Sequence, residues 1–314
     1  IEKRRKQWNR ACSAGQASHW NAAGPARSSE GLSVRRQHPK NNEENMEING
    51  KTAVYGLIGN PVGHSFSPLI HNTLAEGLGQ NMVYETFPVT DPERIGDAVK
   101  GAFALGIQGM NVTVPYKSAV IPYLVEIDPV AKAIGAVNTL VRMEPEEGPD
   151  GENFSCGYKG YNTDYMGLRQ ALTEMGIGLA DMAVILIGAG GAARAAGFMC
   201  GDAGVRQLCI LNRTKERAEL LAGDLQKKFP QMTTNVRILA EAAAAAQEFK
   251  GAGEKVLAIQ CTNVGLAPKA DEVPVEAPSF YENVDAVYDC IYNPEETRFL
   301  SMAKAAGKPG RNGM

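Results

Sequence analysis

Two polar side chains far apart in the chain, Lys117 and Asp164, are the residues through which this protein could move a proton. Lys117 follows the proline-stiffened turn Val114-Pro115-Tyr116, and Asp164 opens a helical stretch after Asn162-Thr163. Each has an ordinary explanation alone: a lysine there is a solvated charge, and an aspartate at a helix start is an N-cap. Facing one another across a gap between domains, they would form an acid/base dyad.

Other polar residues sit in loops that follow strands, where open α/β sheets place ligands. In Gly63-His64-Ser65-Phe66-Ser67-Pro68, Ser65 and Ser67 are two apart in an extended segment. Their hydroxyls then point the same way and could hold a small oxyanion such as a carboxylate. Ser67, placed before Pro68, would also serve as a helix cap. Asn111 and Thr113 share a face at strand spacing and are candidate substrate contacts beside Lys117. The loop Gly135-Ala136-Val137-Asn138-Thr139 carries further polar groups.

The run Ala183-Val184-Ile185-Leu186-Ile187 leads straight into Gly188-Ala189-Gly190-Gly191-Ala192-Ala193 and then into small helix formers. That is strand, tight turn and helix, the context a dinucleotide site requires. Gly188 allows the turn, Gly190 lets the backbone approach a pyrophosphate, and Ala193 keeps helix and strand close. Unpaired helix N–H groups would face the anion. After the next strand an NAD site needs an acid for the ribose hydroxyls, whereas this chain offers Asn212-Arg213-Thr214-Lys215. Arg213 can fork onto a 2′-phosphate and Lys215 adds charge, so NADP(H) is the expected cofactor. Asn212 and Thr214 could equally cap the following helix. A dyad beside a nicotinamide suits carbonyl reduction, where a proton is handled as hydride moves.

These residues need a scaffold, and alternating strands and helices imply an α/β fold. We expect strands at 53–58, 82–88, 108–113 and 136–143, the last paired in a hairpin with 154–158, and helices at 68–78, 92–105 and 120–126. A crossing helix, 164–175, leads to the dinucleotide unit, with helices 215–228 and 240–249, strands 256–260 and 284–288, and a final helix 295–306. The expectation is an N-terminal α/β substrate domain (46–161, with 293–314 returning to it) and a Rossmann-like NADP-binding domain (162–292), with a cleft between them. Residues 1–45 lack apolar periodicity and are read as a disordered extension, with Met46 as the functional start. Their acids Glu30, Glu43 and Glu44 count against an organelle transit peptide.

Composition narrows the function classes. The 314 residues carry a formal charge of −3, and because residues 1–45 hold nine Lys or Arg against four acids, the remainder is near −8. That balance offers no footprint for nucleic acid. No apolar run reaches membrane-spanning length. Six cysteines without C-x-x-C or metal spacing read as reduced thiols of a cytoplasmic protein. His19, His38, His64 and His71 give no metal or hydrolase constellation. The expected partner is a small-molecule substrate, acted on by a monomer or homodimer with neither metal nor membrane.

The ordered motifs together resemble the shikimate dehydrogenase family. They are the Ser65/Ser67 loop, Asn111-Val112-Thr113-Val114-Pro115-Tyr116-Lys117, Gly135 to Thr139, Asn162 to Gly167, the Gly188 turn, Asn212-Arg213-Thr214, and Asp289-Cys290-Ile291-Tyr292-Asn293-Pro294. The resemblance implies reversible NADPH-dependent reduction of 3-dehydroshikimate to shikimate on the route to aromatic amino acids. It implies that Ser65 and Ser67 hold the substrate carboxylate, that Thr113, Asn138 and Tyr292 touch the substrate, and that Lys117 with Asp164 handles the proton. Where the family carries an Asn-x-Thr-Pro-x-Gly-like run near the nicotinamide, this chain reads Gln260-Cys261-Thr262-Asn263-Val264-Gly265, so Thr262 and Gly265 carry over. The family continues beyond Asn312-Gly313 with a substrate-contacting Gln and a last helix, and the chain, ending at Met314, is expected to lack both. Two alternatives stand beside this reading: a quinate/shikimate dehydrogenase using NAD, and a non-catalytic NADP-binding fragment.

Overall fold

The apolar runs become the central strands of two six-stranded sheets. The computed structural model describes residues 48–144 and 156–314, so the expectations for 1–45, Met46 and the start of the 154–158 strand lie outside the described residues.

In the first sheet, β1 (Ala53–Gly59) is followed by helix α1 (Ser67–Gly77), β2 (Met82–Pro88), helix α2 (Ile95–Ala104) and β3 (Gly109–Val112). Then come β4 (Glu126–Ile127), helix α3 (Pro129–Ile134), β5 (Thr139–Met143) and β6 (Gly157–Tyr161). The spatial order is β2-β1-β3-β5-β6-β4. β1 pairs in parallel with β2 and β3, and β5 and β6 form the expected antiparallel hairpin.

Two expectations in this half need correction. Residues 120–126 form only a 3-10 turn, Ile121–Tyr123, before β4 begins. Pro122 inside the stretch disfavours helical backbone at the residue before it, and Val125 instead donates its N–H to the Tyr158 carbonyl at 3.1 Å. The strand expected from Ala136 starts at Thr139, because Val137 donates to the Lys117 carbonyl at 2.7 Å and is held in the loop.

The second sheet is parallel throughout. Helix α4 (Asp164–Glu174) crosses to β7 (Met182–Ile187), helix α5 (Gly191–Asp202), β8 (Gln207–Leu211), helix α6 (Lys215–Lys228) and β9 (Thr233–Arg237). Helix α7 (Ala242–Gly251), β10 (Lys255–Gln260), helix α8 (Pro278–Glu282), β11 (Ala286–Asp289), helix α9 (Arg298–Ala305) and β12 (Gly310–Arg311) follow. The order β12-β11-β10-β7-β8-β9 puts β7, the strand feeding the glycine turn, at the centre. All six of its residues are buried, as a strand covered on both faces requires.

Residues 293–314 were expected to return to the first domain, but they complete the second. Phe299, Leu300 and Ala303 of α9 enter the core with Val287 and Phe280, and β12 pairs in parallel with β11. Apolar residues at this helical spacing bury where an apolar sheet face is open, and here that face belongs to β11.

Ile134 and Ala136, from the first sheet's side, are buried in the same cluster as Ala193 and Ala196 of α5. No helix among the described residues is long and apolar enough to cross a membrane.

Candidate active site

A cleft of about 860 Å³ opens between the carboxyl ends of the two sheets. This is the size of cavity that encloses small-molecule ligands.

Lys117 is fixed from both sides of its own turn. Tyr116, 2% exposed, anchors the turn by donating its hydroxyl to the Val89 carbonyl at 2.6 Å, and Tyr116 N–H donates to the Thr113 carbonyl at 2.9 Å. Asp164 stands at the first turn of α4, yet it is not the cap. The buried Asn162 accepts from the N–H groups of Asp164 (3.1 Å) and Tyr165 (3.4 Å), and donates to the Ala136 carbonyl at 2.9 Å. The Asp164 carboxylate is thereby free for other partners. Lys117 Nζ donates to Asp164 Oδ2 at 2.6 Å, with side chains 13% and 27% exposed. Asn138 Nδ2 donates to Asp164 Oδ1 at 2.8 Å and to Thr163 Oγ at 2.9 Å. Asn138 Oδ1 accepts from Thr163 N–H and Thr139 Oγ, both at 2.9 Å, which fixes the side-chain amide's orientation. Lysine, aspartate and asparagine thus form one directed chain of polar groups.

On the other wall of the first sheet, Ser65 Oγ donates to Ser67 Oγ at 3.0 Å. Ser67 lies inside α1 and caps nothing; Phe66 occupies the cap position without a side-chain bond. Both serines line the cleft, but the segment is not extended as expected: Phe66 between them takes helical backbone (φ −81, ψ −4), and the Ser65–Ser67 hydrogen bond brings the hydroxyls together. Asn111 and Thr113 also line it. Tyr84 donates its hydroxyl to Asn111 Oδ1 at 2.8 Å, and burial raises the phenol's pKa, so it stays a donor and aims the Asn111 amide. His71 stacks on Tyr84 with ring centroids 4.2 Å apart, and burial pushes its imidazole below the usual value. Tyr292 lines the cleft with its ring centroid 6.1 Å from that of Phe66.

The second domain contributes the glycine turn. Gly188 takes φ +115, and a Cβ there would lie 3.3 Å from the Cys261 carbonyl group and 3.1 Å from the Thr262 methyl. Only glycine tolerates both the angle and the contact. Gly190 faces open space, and α5 begins there without a side-chain cap. Gly188, Ala189, Gly190, Ala192, Asn212 and Thr262 line the cleft.

Gly191, Arg213, Thr214 and Lys215 do not line it. The face of Gly191 where a Cβ would stand lies against Lys117. Thr214 is the cap residue of α6 without a side-chain bond, and Asn212 Nδ2 donates to its carbonyl at 2.7 Å. Lys215 pairs with Glu219 at 3.6 Å. The basic residue lining this end of the cleft is Arg217, one turn into α6. Sequence reasoning overlooked it, and its only signal was its place four residues after Arg213. His71, Gln170, Cys261, Cys290 and Arg311 are further lining residues that it left without a role.

Known proteins resemble this chain along most of its length. A profile described as Shikimate dehydrogenase substrate binding domain matches residues 57–140, and one described as Shikimate / quinate 5-dehydrogenase matches residues 169–251. A protein of Moorella thermoacetica named Shikimate dehydrogenase (NADP(+)) is 40% identical over 262 residues, covering 83% of each chain. The chain belongs to the shikimate dehydrogenase family. Two solved family structures share its fold. The shikimate 5-dehydrogenase of Thermus thermophilus in complex with NADP(H) and shikimate has a TM-score of 0.63 at 31% identity, covering 83% of this chain and 87% of that one. The Listeria monocytogenes shikimate 5-dehydrogenase in complex with shikimate and NAD has a TM-score of 0.69 at 31% identity, covering 85% and 88%.

Proposed function

We propose that the chain is an NADP-dependent dehydrogenase that interconverts 3-dehydroshikimate and shikimate, in the formation of aromatic amino acids. The observation that carries this reading is the 2.6 Å Lys117–Asp164 pair on the wall of a cleft that also contains the glycine turn.

The residues present fit a dinucleotide. The open space above Gly190 and the uncapped start of α5 provide a cradle for the pyrophosphate. Gly188, Ala189, Gly190 and Ala192 would line it, with the Gly191 N–H at the helix start. Asn212, Thr214 and Arg217 would contact the adenosine ribose, and the 2′-phosphate would draw on Arg213, Arg217 and Lys215. Thr262 would flank the nicotinamide. When bound, NADPH supplies the hydride that reduces the substrate carbonyl.

The chain's own groups manage orientation and the proton. Ser65 and Ser67 hold the carboxylate with their hydroxyls, while Asn111, Thr113, Asn138 and Tyr292 contact the ring substituents. Lys117 Nζ donates a proton to the carbonyl oxygen as it becomes an alkoxide. Asp164 keeps that amine aimed and accepts from a substrate hydroxyl, and Asn138 holds the carboxylate in place. Oxidation reverses each role.

Two observations favour a second reading, NAD use: Arg213 and Lys215 lie outside the cleft lining, and the Listeria relative is in complex with NAD. Initial rates with shikimate or quinate, each with NADP⁺ or NAD⁺, separate these. Fastest turnover with shikimate and NADP⁺ is expected. NADP⁺ binding by fluorescence without turnover would instead support a non-catalytic fragment. The reading is of a cytoplasmic enzyme, in keeping with free thiols at Cys156, Cys200, Cys209, Cys261 and Cys290, that acts as a monomer or homodimer.

A further inference from the structure

Two of the cysteines meet where the nicotinamide end of the cleft closes. Cys261 directly follows β10 and Cys290 directly follows β11, and the register Gln260↔Asp289 sets the two side by side. Cys290 N–H still donates to the Gln260 carbonyl at 2.9 Å, and Cys261 N–H to the Ile187 carbonyl at 2.8 Å, so both backbones remain in the ladder. Residues of one parity on neighbouring strands share a face, and both side chains accordingly project toward the side occupied by Ile259 and Tyr288. Their sulfurs are 3.5 Å apart, and both residues line the cleft and are partly exposed.

We propose that Cys261 and Cys290 form an oxidative modification site, a dithiol that a hydroperoxide converts to an intramolecular disulfide and whose oxidation releases the coenzyme. Neighbouring strands stand about 4.8 Å apart, inside the roughly 4.4–6.8 Å that disulfides span between Cα atoms. Closing the sulfurs from 3.5 Å to the roughly 2.05 Å of a bond therefore needs side-chain rotation and a local shift of the Cys261 backbone, with the strands of the sheet left in place. Cys200 is fully buried in the apolar cluster that Cys261 and Cys290 pack against, Cys209 is buried in the cluster on the other face of the sheet, and Cys156 is exposed.

The chemistry balances with the peroxide as sole oxidant. The Cys290 sulfur attacks the terminal peroxide oxygen, the O–O bond breaks, and the departing oxygen leaves with the thiol proton, as water from hydrogen peroxide or as an alcohol from an organic hydroperoxide. The Cys261 sulfur then attacks the resulting sulfenic sulfur; the S–S bond forms, the S–O bond breaks, and water carries away the Cys261 proton. Two thiols are oxidised and one hydroperoxide is reduced. The hydrogen bond to Cys290, followed by burial, pushes the Cys261 thiol well above its usual range. A thiol held protonated is the poorer nucleophile, so Cys261 is the sulfur that attacks second.

The link to the coenzyme is a backbone contact. The Cys261 carbonyl lies directly under Gly188, and Thr262, next in the chain, lines the cleft. Drawing Cys261 toward Cys290 shifts the support of the glycine turn.

The test uses the full chain in a C12A/C156A background, reduced, freed of reductant and exposed to hydrogen peroxide. Peptide mapping is expected to find Cys261 joined to Cys290. NADPH fluorescence titration is expected to show at least tenfold weaker binding, reversed by dithiothreitol, and saturating NADP⁺ is expected to slow the crosslink. C290S and C261S, each against its own reduced baseline, are expected to lose the peroxide response, so one variant suffices if the other fails to fold. The proposal is overturned if the two thiols stay reduced, if either goes only to sulfinic acid, or if the crosslink forms and NADPH affinity is unchanged. The coenzyme effect rests on the NADP reading; should the reduced chain not bind NADPH, that reading fails and the crosslink map alone decides the modification site.

Discussion

Gly191 and Lys117 pack directly against one another: a Cβ on Gly191 would lie 2.8 Å from Lys117 Cβ and 3.0 Å from its Cδ. The first residue of α5 is therefore glycine because the stem of the proton-carrying lysine occupies the space. Coenzyme cradle and proton donor are held to one another by contact, without a connecting loop.

G191A tests that contact. Alanine gains at most about 1 kcal/mol of helix propensity, whereas overpacking at a contact this short costs about 1–3 kcal/mol. The variant should be less stable in urea and should lose kcat at least tenfold as Lys117 is displaced. Wild-type stability and turnover would refute the contact.

K117A removes the proposed proton donor. General acid–base groups contribute roughly 10²–10⁴-fold, so kcat for shikimate oxidation should fall by that order while KM moves far less. A fall confined to KM would make Lys117 a binding residue only.

R217A separates the two arginines of the adenosine end. A charge-assisted hydrogen bond contributes about 1.5–3 kcal/mol, or roughly 10–100-fold in affinity. NADP⁺ binding should weaken by that factor with NAD⁺ unchanged, and R213D should act in the same direction. Unchanged NADP⁺ affinity in R217A would leave Arg213 as the phosphate's holder.

Asp289 makes stability depend on pH. It is fully buried, and although it accepts from Thr297 Oγ at 2.6 Å and Ile291 N–H at 3.0 Å, burial pushes its carboxyl up to about 6 from 3.8. A raised folded value means that its contribution is complete below 3.8 and is lost as pH rises through about 6. The full difference corresponds to about 3 kcal/mol. D289N, uncharged throughout, should therefore gain on the wild type between about pH 4 and about pH 7.5 in urea midpoints. The offset from its changed hydrogen bonding is constant, so a gap that does not widen with pH would refute the assignment.

Much of this was legible in the chain. A run of five apolar residues entering Gly188-x-Gly190 specifies strand, turn and helix locally, whereas Ser65 and Ser67 were paired on the expectation of extended backbone and meet instead at a helix start. Expectations failed where a long-range partner overrode local preference. Val125 left a helix to pair with Tyr158, and Val137 left a strand for Lys117. Residues 298–305 joined β11 because that sheet face was open to them.

The residue types and their short spacings determined which chemistry the chain could attempt: a lysine, an aspartate, two serines and a glycine bend. Tertiary structure alone decided which of them meet. Lys117 and Asp164 are 47 positions apart, and only the crossing of α4 beneath the Asn138 loop brings them to 2.6 Å. The same holds for Arg217 in place of Lys215 and for the Cys261 and Cys290 sulfurs, because helix rotation and strand order fix those distances and neither is encoded in any single short segment.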